Sequence, residues 1–229
     1  MSSVDHSNDW LTHQWIVAGM VSASARFIPI PFLDDIVRNQ CRRFVVSRTV
    51  DASERQSALS DLKPYYSSDG GCIAGCFAAM GTLPFKLLLF PVRKIFAIVT
   101  AVHGVPMEII RTVLLGRTLQ RQLDLGEISA EDAARMKVAF NEAFSRMDLR
   151  TVRATVEDAV RSVHGWKSAA MKSARKVASD QAESNIPSSG PVDLGADKVQ
   201  AVLQRPETAR LFAEFDTRFD EAYLRTNRT

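Results

Sequence analysis

Few side chains in this sequence stand at the spacings that chemistry demands. Cys72 and Cys76 lie four residues apart, so a helix would present both thiols on one face. Zinc takes four ligands, commonly as two close pairs. The four histidines, at 6, 13, 103 and 164, supply no second pair. Buried thiols in a run of small residues are the better reading, and no metal is expected. Cys76 with His103 is a conceivable nucleophile and base, but nothing in their spacing supports the pairing. Asp34 and Asp35 follow Pro31, where acids at the start of a helix complement its dipole. Aligning Gly126 with the glycine of a calcium loop puts Arg121, Leu123 and Leu125 at ligand positions, and these cannot bind calcium. Phosphate-loop, dinucleotide, zinc-protease and nucleophile-elbow motifs are all absent from the sequence. The expectation is a protein without enzymatic activity, cofactor or metal centre.

The more telling groups are cations beside apolar runs. Residues 70–107 carry only three charges, Lys86, Arg93 and Lys94, all basic. Their separations of seven and eight residues place them on one helix face, with Leu87, Leu88, Phe90, Ile95, Phe96 and Val99 around the rest. A narrow cationic stripe on a wide apolar helix suits a bilayer interface, where the bases reach headgroups while the apolar side sinks in. Arg38, Arg42 and Arg43 are further candidates for headgroup contact. Residues 70–92 are long enough to cross a bilayer, and Gly71, Gly75 and Ala79 form a small-residue stripe for close helix packing and self-assembly. Gly81, Pro84 and Pro91 interrupt that stretch, and Pro91 would free the carbonyl of Leu87 and kink the helix. Three arrangements stay open: the central helix pair of a soluble bundle, a hairpin inserted from one side, or a crossing. A second basic run, Arg161, Lys167, Lys172, Arg175 and Lys176 around Trp166, reads first as a solvated face. Nucleic acid is the weaker alternative, because no recognition motif accompanies it.

The elements that must position these groups are helices nearly throughout. Of the 229 residues, 46% are hydrophobic and 24% charged, values of an ordinary globular chain. No period-two run marks a strand, so the fold class is all-α, a bundle with a hydrophobic central hairpin. Helices are expected at 9–27, with Asp9 as N-cap, then at 33–49 and 51–62, with a loop at 62–71. The apolar side of the second is marked by Ile36, Val37, Phe44, Val45 and Val50. Another helix runs over 107–123. Ser129 to Asp132 resembles a capping box. Met136, Ala139, Phe140, Ala143, Phe144 and Met147 follow at helical spacing. Leu149, Val152, Val156, Val160 and Val163 continue toward about residue 180. Four regions result: 1–126, hydrophobic and basic-edged; 127–182, an amphipathic module; 183–197, a linker by its Ser, Gly and Pro content; and 198–229, a terminal amphipathic helix with Phe212, Phe215 and Phe219 on one face. The net charge of +3 resides in residues 1–126, since the later residues carry equal numbers of acids and bases.

Residues 27–35, FIPIPFLDD, join an apolar helix to an amphipathic one. This resembles the helix–Pro-x-Pro–Asp turn of EcsC-type bacterial proteins and is similar to the helical membrane-associating domains of some bacterial GTPases. Phe32 and Leu33 stand where that pattern has a glycine between the second proline and the aspartate. The resemblance implies a helical, membrane-associated bacterial protein without a settled activity. Three cysteines fit a reducing compartment, and the acidic opening MSSVDHSND is unlike a secretory signal. The combined expectation is a non-enzymatic protein on the cytoplasmic side of a membrane, peripheral or hairpin-inserted, binding anionic lipid and capable of self-assembly. The alternative is a soluble adaptor docking a protein partner through its C-terminal helix. An enzyme acting on lipid-like substrates in the apolar centre ranks third.

Overall fold

The computed structural model describes residues 3–53, 59–67, 90–179 and 185–226, with side chains described over 9–53, 59–67, 104–179 and 185–226. Among the described residues there are nine helices and no strand: α1 Ser3–Ala25, α2 Leu33–Ala52, α3 Lys63–Tyr66, α4 Phe90–Leu125, α5 Ala130–Ser145, α6 Arg150–Arg161, α7 Trp166–Ser179, α8 Gly190–Leu203 and α9 Pro206–Thr226. The fold is an all-α bundle. The central hairpin expected over 70–107 lies mostly outside the described residues.

The helix at the centre is α1. Residues 15–25 are all buried, as an apolar helix without a polar stripe must be. It packs on α2, α4, α7 and α8. Close approach to α4 depends on glycines. A Cβ on Gly19 would sit 2.8 Å from the Ile109 Cα, and one on Gly116 would meet the Trp15 indole at 2.3 Å. The Trp15 Nε1 donates to the Thr49 Oγ1 at 3.1 Å, tying α1 to α2 inside the core. Asp9 does not cap α1, because the helix begins earlier, at Ser3. Its carboxylate and carbonyl instead accept from Gln204 and Gln200 of α8.

Several expectations change. A single helix, α4, replaces separate elements on either side of residue 106, and Pro106 stands inside it. Proline removes one donor there, but Val105, Ile109 and Ile110 are buried, and that packing outweighs local propensity. The kink expected at Pro91 involves Leu87, outside the described residues. The sequence KPYY forms the short helix α3 rather than loop, with Pro64 in the first turn, where its missing N–H costs nothing. Residues 59–62, expected to be helical, form a turn, and 54–58 lie outside the described residues. The helix expected from 149 toward 180 is two helices, α6 and α7, separated where Gly165 adopts φ +76°, a conformation glycine accepts without strain. The linker expected over 183–197 is mostly helix. Residues 190–197 open α8, whose Val192, Ala196, Val199 and Val202 are buried. Gly195 lets it lie against Met20, whose Cε would be 2.6 Å from an added Cβ.

The capping box forms as expected. The Ser129 Oγ accepts from the Asp132 N–H, and the Asp132 carboxylate accepts from the Ser129 N–H, both at 3.2 Å. Met136, Ala139, Phe140 and Ala143 are buried as their spacing predicts, with Phe144 and Met147 half-buried. Helix α9 lays Phe212, Phe215 and Phe219 into the core against α5. Phe215 meets Phe140 edge to face at 5.4 Å. Ion pairs clasp the same helix to α4: Arg117 to Asp216 at 2.7 Å and Arg121 to Asp220 at 2.8 Å.

Candidate functional site

Two features stand out, and both arise where α1, α2 and α4 meet. The first is the turn between α1 and α2. Pro29, Ile30 and Pro31 stop α1, and Phe32 begins α2 at φ 63°, with no side-chain cap. The left-handed region is strained for an aromatic L-residue. Phe32 is nevertheless 52% exposed, with Ile30 at 47% and Ile36 at 38%. The Ile36 N–H donates to the Phe32 carbonyl at 3.2 Å, which sets Ile36 one turn beyond Phe32. Ile36 was expected on the apolar, buried side of α2. That side is formed instead by Leu33, Val37, Cys41, Phe44 and Val45.

The pairings along α1 and α4 fix where this turn lies. Trp15 is opposite Gly116, Gly19 opposite Ile109, Ser22 opposite Glu108 and Arg26 opposite Gly104. The two helices are therefore antiparallel, and the end of α1 meets α4 at residue 104. Residues 90–103 of α4 continue past that point, about 21 Å at a helical rise of 1.5 Å per residue. The exposed turn and the apolar first half of α4 thus belong to one end of the molecule. Arg26 lies at this end over Gly104, and the Lys167 ammonium sits 3.7 Å from the centroid of the Phe27 ring.

The second feature is a buried carboxylate ringed by guanidinium groups. Glu108 is only 9% exposed. It accepts from the Ser22 hydroxyl at 2.9 Å and pairs with Arg38 at 3.6 Å and Arg42 at 4.0 Å. Arg38 also reaches Asp35 at 3.2 Å. Burial pulls the Arg26, Arg42 and Arg111 guanidinium groups below their ordinary range, and the Glu108 charge pushes each of them back up. Cys41 is fully buried beside them, and burial above all, with the Glu108 charge, pushes its thiol well above the usual range. A thiol so held is a packing group, since reactivity belongs to the thiolate.

Beside this cluster, α2, α3, α4 and α5 enclose a hollow of about 140 Å³ lined by Arg42, Tyr65, Arg111, Leu115, Lys137, Phe140 and Asn141. The Tyr65 hydroxyl donates to the Leu115 carbonyl at 3.1 Å, and Lys137 donates to the Ser67 carbonyl at 2.8 Å. The Arg111 guanidinium lies over Phe140 and Phe144, 5.6 and 5.1 Å from their centroids. It also donates to the Asn141 side chain.

The sequence-derived candidates divide accordingly. Arg38 and Arg42 point inward to Glu108, while Arg43 is exposed. Arg93 and Lys94 stand on the part of α4 whose side chains are not described. Lys86, Gly71, Gly75, Ala79, Cys72 and Cys76 lie outside the described residues. Asp34 and Asp35 occupy the first turn of α2, as expected. Of the second basic run, Lys172, Arg175 and Lys176 are exposed on α7, and Arg161 pairs with Glu157 at 2.6 Å. The Phe face of α9, the docking element of the adaptor reading, is already occupied by α5. Other hollows of about 440 and 400 Å³ are open surface clefts bordering α6, and Cys76 and the His103 side chain lie outside what is described. No helix among the described residues is long and apolar enough to cross a membrane.

Glu108, Arg111, Lys137 and Phe32 are missing from the sequence-derived candidates. Glu108 had a signal, being the only acid between Asp69 and Asp124. For Phe32 the glycine of the resembled turn pattern hinted at the backbone angle, but its exposure follows from the tertiary placement of the turn. No protein-family model matches the chain, and neither a curated protein nor a solved structure is similar to it.

Proposed function

We propose that this is a non-enzymatic, peripherally membrane-associated helical protein that meets an anionic lipid surface with the end formed by the α1–α2 turn and the first half of α4. The observation that carries the reading is the exposed cluster of Ile30, Phe32 and Ile36, with Phe32 held out at φ 63°. Exposed apolar side chains are ordinary when scattered. Three within seven residues, on a strained turn, suggest a surface made to be covered. The charges nearby favour lipid as the cover. Asp35 is engaged by Arg38, and the Asp34 charge bears on Arg26. Lys167 stands at the edge over Phe27, and Arg93 and Lys94 are the only charges of residues 90–103. Each base near an anionic leaflet contributes on the order of 1 kcal/mol. The likeness of residues 27–35 to the EcsC-type turn suggests the cytoplasmic face of a bacterial membrane as that surface.

The test is co-sedimentation with vesicles of phosphatidylcholine alone or mixed with phosphatidylglycerol, using the full chain and Phe32→Gly. Glycine relieves the left-handed strain, so the variant should be as stable as the parent or more so, by about 1 kcal/mol. The parent should sediment with the anionic vesicles, and Phe32→Gly should bind about tenfold more weakly, the loss of one partly inserted aromatic side chain. A parent that ignores both vesicle types, or a folded Phe32→Gly that binds as well as the parent, overturns the reading.

A further inference from the structure

We infer that the hollow between α2, α3, α4 and α5 is a binding site for a single phosphate group, held by Arg42, Arg111 and Lys137. Four elements converge to make it, and of its seven described lining residues three are cations and none is a carboxylate. Arg42 comes from α2, Arg111 from α4 and Lys137 from α5, so the charges are assembled only by the tertiary fold. Glu108 stands outside the lining and is shared by Ser22, Arg38 and Arg42. One carboxylate thus serves both Arg38 and Arg42, and no carboxylate among the described residues pairs with Arg111. A part-buried cation without an ion-pair partner is costly, and the Arg111 charge is felt at Arg42. An oxyanion between them removes that repulsion.

The donor geometry points the same way. Contact with the Phe140 and Phe144 rings restrains Arg111, and its Nη2 is engaged by Asn141. Its Nε is buried and has no hydrogen-bond partner among the described residues. A planar guanidinium so restrained and with an unused N–H is the usual partner of a phosphate oxygen. Tyr65 gives its proton to the Leu115 carbonyl and serves as wall. The size is selective: about 140 Å³ holds water or one tetrahedral oxyanion, whereas sites for larger organic ligands begin near 300 Å³. The phosphate is either the free ion or the terminal monoester of a lipid headgroup. The site itself does not depend on the membrane reading; only its lipid source does.

The experiment is thermal unfolding of the full chain in inorganic phosphate against chloride at equal ionic strength, for the parent, Lys137→Gln and Arg111→Lys. At phosphate about 100 times its Kd, the parent midpoint should rise by roughly 5 to 10 °C. Arg111→Lys keeps the charge but loses the forked donor. Lys137→Gln removes a partly exposed cation with little risk to folding. Each should weaken the phosphate Kd about tenfold or more. No rise beyond that in chloride overturns the site, as does an unchanged response in a folded Lys137→Gln. A second arm compares vesicles of phosphatidic acid, a monoester, with phosphatidylglycerol, a diester, at matched surface charge. A monoester preference that Lys137→Gln abolishes assigns the phosphate to lipid. Equal binding alongside a retained phosphate effect assigns it to the free ion. If phosphate raises the midpoint while no vesicle binds, the membrane reading falls and the site stands.

Discussion

At the scale of single residues, the position with the greatest leverage is Glu108. It is one carboxylate in a long stretch of sequence without another, and it faces Ser22, Arg38 and Arg42 at once. A buried ion pair adds little net stability over an apolar pair, but removing one partner strands the other charge out of water. Glu108→Gln should therefore destabilise the protein by on the order of 3 kcal/mol, seen as a lower urea midpoint with an unchanged slope. The surface gives the contrast. Hydrogen bonds from Arg150 hold the Asp148 carboxyl down at about 2, yet both groups are fully exposed, where ion pairs contribute little. Asp148→Asn should leave the same midpoint in place. An effect at Asp148 equal to that at Glu108 would mean that burial is not what sets the cost.

At the scale of elements, legibility follows how local the signal is. Helix α5 was readable to its first residue, because a capping box and a three-four apolar spacing are both written within one element. The face of α9 was readable for the same reason. The α6–α7 break was not, since His164-Gly165 is a common pair and only φ +76° at Gly165 makes it a corner. Nor was α8, whose Gly190, Pro191 and Gly195 read as linker. Pro191 stands in a first turn where it is harmless, and Gly195 is small because Met20 lies against it. Of the site, the Arg side chains were visible as cations but not their inward direction, which is set by Glu108 across the α2–α4 contact. The α5 cap also yields a pH dependence. The Ser129 hydroxyl, above all, holds the Asp132 carboxyl below its ordinary value. A depressed carboxyl contributes its full stabilisation above the unfolded pKa of about 3.9 and loses it as pH falls toward the folded value. Ser129→Ala should cost about 1 kcal/mol at pH 7, and the gap from the parent should narrow below about pH 4. Paired melting curves between pH 7 and pH 3 measure both. A gap that widens in acid would contradict the depressed carboxyl.

At the scale of the molecule, the two ends of α4 differ, and α9 packs at one of them. The α1–α2 turn and the first half of α4 share one end. The carboxyl end of α4 is held instead by α9, through Arg117, Arg121, Asp216 and Asp220. Phe215 and Phe219 are fully buried and Phe212 nearly so. Each buried phenylalanine contributes roughly 1.5–3 kcal/mol, and folded domains have only about 5–15 kcal/mol in total. Removal of residues 206–229 should therefore abolish the cooperative thermal transition in circular dichroism and give aggregates on gel filtration. An appended docking helix would behave otherwise, leaving a monomer with the parent melting temperature. The outcome also bears on the end proposed to meet lipid. Phe32→Gly, which touches nothing in the α4–α9 clasp, should keep the cooperative transition while losing vesicle binding, whereas the truncation should lose both. Only that asymmetry fits a molecule whose carboxyl-terminal helix completes the core and whose opposite end meets lipid.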